Sequence, residues 1–195
     1  IYKQIKILPV FPNSIERILD ILSDKNSSMN QIANAIKRDP SLTTDILKLA
    51  NSAQFMLPKR IASIEEAVKI VGFSGIKLLL TSYSAKKIID DQFGEMEHIW
   101  EHSYRCAFYA QEIAKNRRLD KRIIEDCYLS GLLHDLGRFI VVSIKRDMVE
   151  KLISISAEKK LNIQILEDLT LGVTHAKVGA ELARKWNFPD TLVEA

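Results

Sequence analysis

The sequence is short of several residue types that build familiar kinds of site. Its 195 residues include two cysteines, Cys106 and Cys127. That is too few for a disulfide framework or a cysteine-rich metal site, and it fits a reducing compartment. There is no Gly-rich phosphate loop, no low-complexity tract and no internal repeat. Charge of one sign is also lacking: 28 basic residues stand against 25 acidic ones, for a net charge of +3. The basic residues are scattered, and the largest groups are pairs (Lys86-Lys87, Arg117-Arg118, Lys159-Lys160) that read as solvated helix faces. Nucleic-acid binding through a massed phosphate footprint is therefore disfavoured. No apolar run approaches the roughly 18–20 residues that span a bilayer, and no charged-then-apolar leader opens the chain. These absences predict a cytoplasmic protein with no membrane partner. The chain opens at Ile1 and stops at Glu194-Ala195 within an expected helix, so it reads as a piece of something longer.

What is present is an ordinary globular composition, 47% hydrophobic and 27% charged, long enough for one domain or two small ones. The periodicity is helical nearly everywhere. Ile15, Ile18, Leu19 and Leu22 repeat at three- and four-residue spacing, predicting a helix over 13–22 capped by Asn13 or Ser14. "NSSMNQIANAIKR" offers a second cap and an inward stripe of Ile32, Ala33 and Ile36. Asp39-Pro40 marks a stop and a fresh start, because proline suits a first helical turn. Leu42, Ile46, Leu47, Leu49 and Ala50 carry the next helix, which ends near Asn51-Ser52 before a loop punctuated by Pro58.

Ser63 and Glu66 match a capping box for a helix through Val71. Gly72 and Gly75 are expected to break that helix, and 76–89 reads as another. "DDQFGE" reads as a hinge between two halves, 1–92 and 93–195. Five further helices are expected, over about 97–117, 121–143, 146–160, 163–171 and 173–186. "RFIVVSI" is the only β-branched run, and it reads as part of a helix. The fold class is all-α. Trp186, with Leu182 and Phe188, reads as a core anchor. Asp39, Pro40, Asn51 and Ser52 read as helix punctuation, with a partner-binding surface as the second reading.

The chain has four histidines. His98 and His102 lie one turn apart on one helix face, a workable spacing for two ligands of one ion. His134 and Asp135 follow about thirty residues later, a span that lets a second helix run back along the first. His175 opens another helix after Thr174. Neutral imidazoles with a carboxylate suit zinc, iron or manganese better than calcium or magnesium. Such an ion could acidify a water for phosphoester hydrolysis. Arg138, one turn after His134, would then be placed to bind a phosphate oxygen. A hydrogen-bonded structural His-Asp pair with no chemistry is the other reading of the same residues.

"HSYRCA" (102–107), "LSGLLHDLGR" (129–138) and "THAKVGAELARKWNFP" (174–189) resemble the HD superfamily of metal-dependent phosphohydrolases. "LPVFPNSIERIL" (8–19), "IKRDPSLTTDILKLANSAQF" (36–55) and "IASIEEAVKIVGFSGIKLL" (61–79) make the resemblance specific to its HDOD branch, and together these segments cover nearly the whole chain. The resemblance implies an all-helical HD-like domain with an N-terminal helical subdomain, related to HD-GYP phosphodiesterases. By resemblance His102 matches the first HD histidine, His134-Asp135 the doublet, and His175 the further histidine used for a second metal. His98 stands where those proteins usually have a glutamate, and Arg138 where they have a lysine. The GYP tripeptide is absent from these residues, and the paired histidines and last aspartate of the pattern are expected downstream of Ala195. The implied function is a bacterial signal-transduction module, mostly non-enzymatic, that binds a signalling protein or a small nucleotide. The alternative is a metal-dependent phosphohydrolase acting on a nucleotide or cyclic dinucleotide. The cofactor implied is a divalent metal: iron, manganese or zinc.

Overall fold

The computed structural model describes residues 10–24, 26–51 and 60–194. The opening "LP" of the resemblance, Ser52 and the Pro58 loop lie outside the described residues. The architecture is all-α, with no strand among the described residues. Two compact units divide the chain, one of residues 11–87 and one of residues 88–194 with Val10.

In the first unit, α1 (Asn13–Ser23), α2 (Met29–Lys37) and α3 (Pro40–Ala50) follow one another through short turns. The helix stripes are as the spacing predicts, with Ile15, Ile18 and Leu22 buried on α1 and Ile32, Ala33 and Ile36 on α2. The residue preceding α1 is Pro12, so neither Asn13 nor Ser14 supplies a side-chain cap. Ser28 caps α2 in a full capping box with Gln31. Asp39 caps α3 through the Leu42 N–H at 3.0 Å, with Pro40 in the first turn. Asn51 closes α3 by donating to the carbonyl of Leu47 and exchanging two further bonds with the backbone of Ile61. Those bonds satisfy orphan groups at the helix end and hold Ile61 against it. Asp39 and Asn51 thus serve the backbone.

α4 (Ile64–Phe93) runs as one long element with a kink at Gly72. Gly72 has φ +75°, a backbone state that side chains with a Cβ resist, and a Cβ there would meet no neighbour; conformation alone requires the glycine. Gly75 lies inside the helix, so only one of the two expected breaks occurs.

The second unit holds α5 (Glu97–Asn116), α6 (Lys121–Leu133), α7 (Leu136–Lys159), α8 (Ile163–Leu171), α9 (His175–Lys185) and the short α10 (Asp190–Val193). α5 packs along α6, and α7 along α9. The expected single helix over 121–143 is instead two, interrupted at His134-Asp135, while the expected break after residue 143 is a kink at Lys145. Leu136, Phe139, Ile140, Val141 and Val142 are all buried, so the start of α7 is apolar on nearly every side, with Arg138 its one charged residue, and serves as the core element. Trp100 stacks on Phe139 with ring centroids 4.5 Å apart and donates from Nε1 to Asp90 at 2.8 Å. Trp186 is buried against Phe188. By length and composition, the stretch Lys121–Lys159 would pass for a membrane span, beyond what the run lengths alone suggest. Its most apolar window is 61% buried inside the protein, the behaviour of a core element.

Two glycines set how closely these helices meet. A Cβ on Gly131 would lie 2.7 Å from the Ala107 Cα and 2.9 Å from the Cys106 carbonyl carbon. A Cβ on Gly137 would fall on the His175 carbonyl oxygen and 2.5 Å from the Gly179 nitrogen. The first contact brings α6 backbone onto α5, and the second brings α7 backbone onto the start of α9.

Candidate metal centre

These two close approaches surround the corner where α6 ends and α7 begins. His134 follows the last residue of α6 as its C-cap, and Asp135 precedes α7 with φ −102° and ψ 12°. An aspartate in that position usually accepts from its own helix's first N–H groups, a cap worth about 1 kcal/mol. The Asp135 carboxylate makes no such bond. It turns instead into the unit, where Asp135 is 2% exposed and its Oδ2 accepts no well-aligned hydrogen bond, its one cationic neighbour among the described residues being the Arg138 guanidinium at 3.1 Å.

Three imidazoles face that carboxylate. His102 Nε2 lies 3.7 Å and His134 Nε2 3.6 Å from Oδ2, and His175 Nε2 lies 3.5 Å from Oδ1. Their other ring nitrogens decide what these Nε2 atoms can do. His134 Nδ1 is 2.9 Å from the Gly131 carbonyl, which can only accept. His175 Nδ1 is 2.6 Å from Glu167 Oε2, which also accepts from the His175 backbone N–H at 2.9 Å. Both rings therefore carry their proton on Nδ1 when neutral, and both present an Nε2 lone pair to a carboxylate oxygen. Lone pairs facing a carboxylate at this range repel unless a cation or extra protons lie between them. A backbone or carboxylate partner fixing the ring is also the usual support of a metal-binding histidine.

The spacing fits an ion as well. Bonds of about 2.0–2.2 Å in tetrahedral geometry place neighbouring N and O ligands roughly 3.4 Å apart, close to the 3.6 and 3.7 Å separations of His134 and His102 from Oδ2. The buried Oδ2 and the lone pairs turned toward the carboxylate could hold a divalent cation with His102, His134 and Asp135 as ligands, and His175 lies on the opposite carboxylate oxygen. Some positive charge is already present. Arg138 Nη1 is 3.1 Å from Oδ2, an ion pair across one turn of α7.

The structure thus gathers His102, His134, Asp135, His175 and Arg138 at one corner. His98, one turn before His102 on α5, is exposed and stands apart from these contacts. Two residues of the corner escaped the sequence reading. Cys106 Sγ is 3.6 Å from His102 Nε2, and together with His134 these ligand atoms lie within 4.8 Å of one another. Its signal was available, since Cys106 follows His102 by one turn on the same face. Glu167 is 1% exposed behind His175. No spacing rule could have found it, because the turn at Gly172 that joins α8 to α9 decides the meeting.

An all-helical unit whose His-Asp doublet lies at a helix corner, facing two further histidines, defines the class of HD-type domains. The chain belongs to the HDOD family, whose sequence profile, described as "HDOD domain", matches residues 8–195. A protein of Treponema pallidum (strain Nichols) is 35% identical over 186 residues, which is 95% of this chain and 36% of that protein. YuxH of Bacillus subtilis (strain 168) is 33% identical over 75 residues, 38% of this chain and 18% of that one. The chain thus spans about a third or less of the length of these relatives. Among solved structures, a candidate phosphohydrolase of Shewanella amazonensis superposes with TM-score 0.79 at 24% identity, covering 99% of this chain and 68% of that one. An HDOD protein of Geobacter sulfurreducens gives 0.77 at 24%, covering 96% and 63%. A candidate signal transduction protein of Marinobacter aquaeolei gives 0.73 at 21%, covering 98% and 43%. At these identities the superpositions establish the fold.

Proposed function

We propose that this chain is the binding module of a bacterial, cytoplasmic signal-transduction protein, engaging a signalling protein or a small nucleotide without turning over a substrate. The observation that carries this reading is the placement of Arg138. A phosphohydrolase of this kind needs firm ligands, an open coordination position and a free cation for the phosphate. The guanidinium that would hold the phosphate lies instead against Asp135 at 3.1 Å, the oxygen that an ion would need. The names carried by the structural neighbours point both ways, to signal transduction and to phosphohydrolases, and leave the choice to the site.

One observation favours the second reading, a metal-dependent phosphohydrolase of nucleotides or cyclic dinucleotides. The Nε2 atoms of His102 and His134 flank Asp135 Oδ2 at ligand-like spacing, and a divalent ion there would supply an acidified water. The full-length protein decides between the two, purified without chelator, analysed for metal and assayed against nucleotides and cyclic dinucleotides beside His134→Ala. Saturable nucleotide binding without hydrolysis is the expected result. Hydrolysis in the wild type that disappears in His134→Ala would replace the binding-module reading with the enzymatic one.

A further inference from the structure

We propose that Arg138 and a divalent cation exclude each other at Asp135, and that the phosphate of a small ligand opens the corner to the cation by drawing Arg138 away. This coupling rests on the reading of the corner as a binding site for a small nucleotide, and adds how two ligands there depend on each other. Both positive groups need the same oxygen. Arg138 Nη1 lies 3.1 Å from Asp135 Oδ2, which His102 and His134 Nε2 flank at 3.7 and 3.6 Å. An ion bonded to Oδ2 at about 2.0–2.2 Å would stand no more than about 5 Å from that guanidinium nitrogen. Two positive groups at such range in a buried corner repel strongly, because little water screens them. The guanidinium therefore leaves when an ion enters.

The pair is also able to come apart. Its atoms lie within ion-pair range, yet Oδ2 accepts no well-aligned hydrogen bond. The contact thus lacks the directed, charge-assisted bonds that make arginine–carboxylate pairs strong. The Arg138 side chain is 25% exposed and that of Asp135 only 3%, so the guanidinium has a path to solvent and the carboxylate does not. Asp135 is the one ionic partner of the Arg138 side chain among the described residues. A guanidinium released at the mouth of the corner presents a planar fork of N–H donors that matches a phosphate. The carboxylate it leaves behind is then open to the cation. Linkage makes the effect mutual: the factor by which phosphate raises cation affinity is the factor by which the cation raises phosphate affinity.

The experiment titrates metal-free, full-length protein with Mn²⁺, with and without inorganic phosphate, and reads the free ion by electron paramagnetic resonance. Wild type is run beside Arg138→Gln and Arg138→Met, with melting curves to check folding and a protein-free titration to correct for Mn²⁺ held by phosphate itself. Phosphate should tighten Mn²⁺ binding to wild type by about 5–150-fold, the usual range of coupling between two sites. A folded Arg138 variant should bind Mn²⁺ more tightly than wild type in the absence of phosphate, and phosphate should leave its affinity unchanged. Equal affinity of variant and wild type without phosphate overturns the exclusion, and is the result that an ion held by His102 and His134 away from Asp135 would give. Tightening by phosphate that persists in the variants overturns the role of Arg138, since phosphate would then act on the ion directly. No phosphate effect in folded wild type, or no Mn²⁺ binding under either condition, overturns the coupling outright. Hydrolysis of nucleotides, read in the separate product assay, would overturn the binding-module reading and leave the coupling intact.

Discussion

The substitution Gly137→Ala gives two opposed expectations, and its sign tests the account of the helix corner. Gly137 lies in the first turn of α7. On helix propensity alone, alanine should stabilise it by up to about 1 kcal/mol. The structure says otherwise. The added methyl would fall on the His175 carbonyl oxygen and 2.5 Å from the Gly179 nitrogen. Both obstacles are backbone atoms of another helix, so no side chain can rotate aside, and α7 and α9 must separate. Overpacking of a tight core costs about 1–3 kcal/mol, and an obstacle that cannot yield belongs at the top of that range. Subtracting the propensity gain leaves a net loss of about 2 kcal/mol, or roughly 4–8 °C of melting temperature for a protein of this size. Thermal and urea denaturation measure it directly. A variant as stable as wild type, or more stable, would show that α7 and α9 do not meet backbone to backbone, and the placement of His175 opposite Asp135 would go with it.

Other perturbations test other parts of the structure. Ile46→Ala should lower stability by about 2–5 kcal/mol by urea denaturation, because Ile46 is fully buried on α3, and a loss under 1 kcal/mol would contradict that packing. Glu167→Ala leaves the buried His175 backbone N–H and ring Nδ1 without their shared acceptor, so a loss of about 2–4 kcal/mol is expected, with the His175 imidazole NMR signal displaced; an unmoved signal would refute the Glu167 contact. Burial, with Tyr104 adding to it, raises the pKa of the Tyr128 phenol above its ordinary 10.0. The folded chain keeps a proton there that the unfolded chain gives up, so stability is level below about pH 10 and falls as pH rises beyond it. Urea midpoints between about pH 9 and 11 should therefore fall less steeply in Tyr128→Phe than in wild type, and equal slopes would refute the assignment.

Much of this architecture was legible because one physical signal, apolar spacing, dominates an all-helical chain. Capping chemistry read correctly where the side chain itself closes the helix, as in the segment that holds Ser28 and at Ser63, which accepts from the Glu66 N–H. It misled at α1, where the helix begins one residue after Pro12 and neither Asn13 nor Ser14 makes a cap bond. On α3 the spacing named five apolar residues, and tertiary packing chose Leu42, Ile46 and Ala50 for burial while leaving Leu47 and Leu49 partly exposed. The break at His134-Asp135 was missed for a different reason. The sequence there is apolar on both sides and holds no proline, and the turn is imposed by backbone contacts from α5 and α9 through Gly131 and Gly137. For the site, one-turn neighbours on a helix could be paired from the sequence, although the residue that joins His102 is Cys106, one turn after it, and not His98, one turn before. Meetings between helices, such as Glu167 with His175, depend on the three-dimensional path of the chain and leave no periodic trace.

The corner at Asp135 has a thermodynamic consequence. Its carboxylate forgoes a helix cap and faces lone pairs of neutral imidazoles, a repulsion absent from the unfolded chain that the Arg138 guanidinium offsets from one side. A cation that enters the corner removes it and binds the folded state alone. Linkage then ties the stability of the domain to the free concentration of that ion, adding about 2.7 kcal/mol at a hundredfold excess over its Kd. For this chain that is a rise of roughly 5–10 °C in melting temperature. Melting curves across an ion titration would therefore trace any occupancy of the corner.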